Sequence, residues 1–192
     1  LRKQNEAGEA PLGNLLADAV LAATRNVGAR IRFMDEGGTR KDLEAGEGKV
    51  AAFGQVQAVL RFGNTLVVMD LTGAQIRALL ERQFNKDGSM GSMLQVSNGF
   101  SYTWDEKRPV GSRVTAITLD GKPHEDGKAY RIVANNFLAE GGDNFPEFGK
   151  GGNRLETGLL DLDAFADYLR ETEGQGAALA PAASAPRIIK AQ

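Results

Sequence analysis

Apolar residues recur at three- and four-residue spacing from Pro11 to Arg25, through Leu12, Leu15, Leu16, Ala19, Val20 and Ala23. That period predicts an amphipathic helix with Asp18 and Arg25 turned toward solvent. Pro11 suits its first turn, where a missing N–H leaves no bond unmade. After Gly28, Ile31-Arg32-Phe33-Met34 reads as a short strand running into Asp35-Glu36-Gly37-Gly38-Thr39-Arg40, a loop by its paired glycines. Phe53 to Leu60 fits a short helix, broken by Arg61-Phe62-Gly63-Asn64 before Thr65 to Leu71, whose β-branched content predicts a buried strand. Thr72 is placed to cap a helix from Gly73 to Phe84 that buries Ile76, Leu79, Leu80 and Phe84.

The pattern then changes from period 3.6 to period 2. Leu94-Gln95-Val96, Phe100 to Trp104, Val114 to Leu119 and Tyr130 to Ala134 alternate between turn residues, with Asp120-Gly121 as a hairpin signal. Leu162 to Leu169 returns to helical spacing with Asp161 at its cap. The reading is an α/β (α+β) chain, with layered helices around mixed β-sheets in one domain over residues 1–173. Residues 174–192 form an Ala/Pro-rich tail read as a linker, in which Ile188-Ile189 is the pair able to dock on the body.

Composition narrows the function. The 192 residues carry a net charge of -2 and no basic run, which argues against nucleic acid as a partner. No cysteine means no disulfide, thiolate metal site or thiol nucleophile. No apolar run approaches the roughly 20 residues of a membrane span. The chain has no initiator Met and reads as a fragment or processed form. The lone His124 has no second histidine to share a metal and no Gly-x-Ser-x-Gly partner, so it reads as an ordinary surface residue.

Ligand-binding features remain. Gly37-Gly38-Thr39-Arg40 is either a glycine turn with a solvated arginine, or a bare backbone that admits a ligand beside a forked donor for phosphate or carboxylate. Phe62 is a core ring by burial statistics, yet its breaker segment allows it to stand at the surface. Phe137 has the same two readings, with Gly141-Gly142-Asp143 close behind it. Two such loop rings could hold a flat base between them.

The segments Gly8 to Ala19, Gly37-Gly38-Thr39-Arg40, Arg61-Phe62-Gly63-Asn64, Leu71-Thr72-Gly73 and Asn136 to Asp143 occur in the order of the 5′-nucleotidase C-terminal domain, which the chain resembles over nearly its whole length. Leu94 to Ser97 and Phe100-Ser101-Tyr102 resemble the bacterial branch, whose members are periplasmic or secreted bifunctional nucleotidases and UDP-sugar hydrolases. The resemblance implies the substrate-binding half of a two-domain phosphohydrolase of nucleotide catabolism. Its partner is an N-terminal metallophosphatase domain with two divalent metal ions; this fragment itself carries no cofactor, binds nucleosides or nucleotides weakly and hydrolyses nothing.

By the same resemblance Phe62 and Phe137 clamp the base, Asn64 sits at its edge, Asp143 takes the ribose hydroxyls and Arg40 holds the phosphate. Arg2 takes the role of the family's upstream arginines. Two positions depart from the family: Asp35 stands where Asn is usual and Thr39 where Ile is usual. An ionised Asp35 accepts hydrogen bonds only, which bears on base preference. It also leaves open a noncatalytic ligand-binding module, or a related sugar- or sulfur-compound hydrolase domain, on the same scaffold; a purely structural domain is the third reading.

Overall fold

Val67, Met69 and Leu71 belong to one buried cluster, Leu66 and Val68 to another, so a single strand is covered on both faces. That is why Thr65 to Leu71 reads as a continuous apolar run without the alternation of a half-exposed strand. The computed structural model describes residues 1–43, 53–174 and 185–192.

In chain order the elements are α1 (Pro11–Thr24), β1 (Ile31–Met34), α2 (Phe53–Val59), β2 (Thr65–Thr72), α3 (Gly73–Glu81), β3 (Gln95–Val96), β4 (Phe100–Trp104), β5 (Val114–Leu119), β6 (Lys122–Pro123), β7 (Ala129–Asn135), α4 (Asn136–Ala139), β8 (Gly152–Leu160), α5 (Asp161–Gly174) and β9 (Ile188–Lys190). They build two mixed sheets, one of five strands in the order β3-β1-β7-β2-β8 and one of four in the order β6-β5-β4-β9. Helices α1, α2 and α5 pack Leu12, Leu16, Val59 and Phe165 together on the outside of the first sheet. Its inner face meets α3 and the second sheet through Ile31, Phe33, Leu79, Phe100, Tyr102 and Ile188. The expected α/β architecture of helices around mixed sheets is the one observed.

Local signals act as their chemistry requires. The Thr72 hydroxyl accepts from the Gln75 N–H while the Gln75 side chain accepts from the Thr72 N–H, closing a capping box at α3. Leu119 pairs with Lys122 across Asp120 and Gly121, which have φ of 51° and 73°, the left-handed pair a two-residue hairpin demands. Asp161 begins α5 and accepts from the Leu162 N–H.

Four expectations are corrected. Helix α3 ends at Glu81 rather than Phe84, because the chain tightens into three-residue turns there and Phe84 leaves to bridge Met90. Asp18 does not face solvent: it receives both terminal nitrogens of Arg187 at 2.8 and 2.7 Å. His124 is no surface residue, since its side chain is 2% exposed, Nε2 lies 2.9 Å from the Gly73 carbonyl oxygen and the ring stacks near Tyr130. Strand β8, nine residues long and largely exposed, has no counterpart among the expected elements. The linker reading of the tail falls on residues 175–184, outside the described residues; beyond them Ile188 is buried in a strand parallel to β4.

Candidate functional site

One end of the five-stranded sheet gathers most of the residues singled out above. β1 and β7 run parallel while β2 runs against both, so the last residues of β1 and β7 meet the first residues of β2. Leu66 pairs with Asn135 and Thr65 with Leu160, which brings Asp35, Asn64, Asn135 and Asp161 to a common edge. Carboxyl ends of parallel strands open onto the crevice where mixed sheets commonly take ligands.

Beneath this edge lies a charged frame. Arg32 is fully buried at 0% exposure, with Asp35 and Asp161 at 3% each. Burial lowers the Arg32 guanidinium to about 10, opposed by the charges of Asp35 and Asp161. Burial likewise raises the Asp161 carboxyl, opposed first by Arg32 and then by hydrogen bonds from the Leu162 N–H and the Asn64 side chain. A buried cation between two buried carboxylates is tolerable only because each compensates the other. Asn64, half-buried, is thus turned to Asp161, and its carbonyl also accepts from the Asp161 N–H at 2.9 Å.

Asn135 links this frame to the surface. Its Nδ2 donates to Asp35 Oδ1 at 3.1 Å and its Oδ1 accepts from the Leu138 N–H at 2.8 Å, capping α4. Phe137, carried on α4, is 46% exposed. Its ring lies against Gly142, where an added Cβ would stand 2.6 Å from Cζ and 2.7 Å from Cε1. The double glycine is therefore a seat for the ring as well as a turn, with Gly141 at φ 90°. Asp143 follows in the left-handed region at φ 51° and is exposed. Partial burial of its carboxyl, and next the charge of Asp35, push it above the ordinary carboxylate range. The two acids flank Gly37: a Cβ there would stand 3.4 Å from Asp35 Oδ2 and 3.5 Å from Asp143 Oδ2.

The second group sits on the loops around α2. Phe62 is 57% exposed, and the Arg40 guanidinium carbon lies 4.8 Å from its ring centre. The Arg40 N–H donates to the Val59 carbonyl at 3.0 Å, and Arg2 Nη1 donates to the Arg40 carbonyl at 3.2 Å. Phe62, Arg40 and Arg2 thus form one group, and Phe137, Asp143 and Asp35 another. Phe62 and Phe137 both stand at the surface, and among the described residues no ring contact joins them. Asp35 is set behind its group, facing Asn135.

Sequence reasoning passed over three residues that shape this region. Arg32 was visible as a lone charge inside an otherwise apolar four-residue strand. Asn135 had the signal of an amide directly before a short helix. Asp161 was read only as a cap, and no local pattern announces that its charge acts on Arg32. Among the described residues no group of three or more His, Cys, Asp and Glu side chains is placed to hold a metal ion. The acids here face an arginine and an amide, so they do not fit a metal centre, and no metal-borne step is assigned to them.

Residues 1–150 match the family described as 5′-nucleotidase, C-terminal domain. The trifunctional nucleotide phosphoesterase protein YfkN of Bacillus subtilis is 34% identical over 171 residues, which cover 85% of this chain and 11% of that protein. The cell wall protein Lmo0130 of Listeria monocytogenes is 31% identical over 194 residues, covering 96% of this chain and 24% of that one. Among solved structures, a 5′-nucleotidase precursor from Thermus thermophilus superposes with a TM-score of 0.76 at 41% identity, covering 85% of this chain and 32% of that chain. The chain therefore spans no more than about a third of the length of these relatives.

Proposed function

The chain belongs to the family of 5′-nucleotidase C-terminal domains, and from that premise we propose that it is the substrate-binding domain of a metal-dependent nucleotide phosphohydrolase. Phe62 and Phe137 stack on the base, Asn64 lies at the base edge, Asp143 accepts from the ribose hydroxyls, and Arg40 with Arg2 holds the phosphate. Asp35 acts from behind Asp143. The binding unit spans 1–173, and the tail 174–192 returns to it through β9. Hydrolysis would belong to a companion N-terminal metallophosphatase domain, where two divalent ions would activate the attacking water. A periplasmic or secreted location follows from the same reading, in line with a relative named as a cell wall protein.

The observation that carries this reading is the exposure of two phenylalanine rings, 57% and 46%, near one sheet end with a carboxylate and a guanidinium beside them. Rings so placed gain nothing from the core, whereas stacking on a base contributes about 1–3 kcal/mol each. Titration of adenosine, AMP and UDP-glucose by calorimetry tests this with Phe62→Ala and Phe137→Ala. Both variants should lose affinity for all three; affinities indifferent to both rings would exclude the clamp.

One observation favours a second reading, a noncatalytic module or a related sugar- or sulfur-compound hydrolase domain. Arg40 already covers a face of Phe62, an arrangement that suits a small anion or sugar. Binding of such a ligand without competition from free adenosine would decide for it.

A further inference from the structure

Asn135 ends β7 in extended conformation, φ -74° and ψ 161°, with its side chain sealed from solvent. Its amide makes two bonds of opposite sense, accepting from the Leu138 N–H at 2.8 Å and donating to Asp35 Oδ1 at 3.1 Å. The first bond caps α4, a single turn of four residues. A turn this short has no stability of its own, so its position depends on its cap and on the burial of Leu138 and Ala139. The second bond fixes that cap to a carboxylate that is itself buried, 3% exposed. Phe137 is the second residue of the turn, its ring laid on Gly142.

We propose that Asn135 is a positioning residue that sets the attitude of the Phe137 ring by tying its helical turn to the buried carboxylate of Asp35. The functional consequence rests on the reading of Phe137 as a base-stacking ring; the coupling itself needs no ligand. The chemistry demands an amide at position 135. Aspartate would keep the acceptor for Leu138 but turn a carboxylate oxygen on Asp35, and serine would cap the turn without the reach to Asp35. The pair is also reversible: with aspartate at 135 and asparagine at 35, one donor and one acceptor again face each other.

The test uses the whole chain and two readouts, the ring resonances of Phe137 in a ¹H–¹³C NMR spectrum, assigned through Phe137→Leu, and affinities for adenosine and ribose 5-phosphate. Asn135→Asp should displace the Phe137 resonances and weaken adenosine about fivefold, the equivalent of losing one buried hydrogen bond, while ribose 5-phosphate binds as before. The double variant Asp35→Asn/Asn135→Asp should return the Phe137 resonances to their place. Should the single variant not fold, Asp35→Ala, which keeps the cap and removes its anchor, should move the same resonances. Phe137 signals that stay in place in the variants, or fail to return in the double variant, overturn the proposal. If wild type ignores adenosine while the resonances move and return as described, the base-binding reading falls and the positioning role of Asn135 stands.

Discussion

The guanidinium of Arg40 lies over the ring of Phe62, 4.8 Å from its centre, in a loop pair that also holds Arg2 through the Arg40 carbonyl. A cation over an exposed ring is worth about 0.5–1 kcal/mol, little enough for a phosphate to draw it away. Phe62 thus has one face taken and one open, and Arg40 serves either the ring or an anion.

The first prediction separates these roles. Phe62→Ala should weaken adenosine by about 1–3 kcal/mol, the contribution of one stacked ring. Arg40→Ala should weaken AMP and leave adenosine unchanged. Calorimetric titration of both ligands against both variants checks the pattern, and an Arg40 variant that loses adenosine and AMP alike would place the guanidinium at the base instead.

Gly142 offers a steric prediction. A methyl group at this position meets Phe137 Cζ at 2.6 Å and its carbonyl oxygen at 2.7 Å, so ring or backbone must move. Gly142→Ala should destabilise the fold by about 1–3 kcal/mol, as overpacking does, and weaken base binding together with it. Urea denaturation and adenosine titration of the same variant measure both.

Asp143 gives a pH dependence. Partial burial, then the charge of Asp35, raise its carboxyl in the folded chain. The folded state therefore keeps this proton to a higher pH than the unfolded one, and the group costs stability as pH climbs from the unfolded toward the folded value. Binding runs in the opposite sense, because a protonated carboxyl accepts fewer hydrogen bonds from a diol. Adenosine affinity should fall on acidification with a midpoint above the ordinary aspartate value of about 3.9, and Asp35→Asn should bring that midpoint down. Asp143→Asn must abolish the acid limb; its persistence would assign the titration elsewhere.

Arg187 predicts the worth of the last strand. Its guanidinium holds Asp18 with two bonds and also reaches the carbonyls of Asn14 and Val96 at 3.4 and 2.9 Å. Arg187→Ala takes the guanidinium from the Asp18 carboxylate, which keeps the Asn98 N–H at 2.7 Å, and from these carbonyls, a loss of about 3 kcal/mol for a largely buried pair. Equilibrium unfolding should register it, while the affinity for AMP stays that of wild type.

The sequence announced what depends on near neighbours. β4 and β5 have the bounds their pattern implies, because both are bounded by turn residues; β4 buries every second side chain, and β5 buries Val114 and Ile117 across a register shift. The Asp120-Gly121 turn and the Thr72 cap are set within four residues, so both were legible. β8 was not, because it is an edge strand exposed along most of its length, and Arg154, Glu156 and Thr157 leave no apolar face to read. His124 was misjudged because its burial comes from Gly73, 51 residues away. Asp18 looked solvent-facing because its partner lies 169 residues on. In the candidate site the rings, glycines and Asp143 could be picked out as loop chemistry. The frame of Arg32, Asp161 and Asn135 exists only once three strands have met.

Glu9 accepts from the backbone N–H of Arg187, a contact that spans 178 residues. The carboxylate of Glu9 also receives Asn14, and Trp104 donates its indole N–H to the carbonyl of Ala7. The opening loop is therefore sewn to the final strand and to the second sheet at one spot. Contacts of such long range slow folding, because the entropy of closing so long a loop is lost before the contact compensates it. During synthesis the seam stays open until Arg187 has left the ribosome, so a nascent chain halted before it carries a first helix without its clasp.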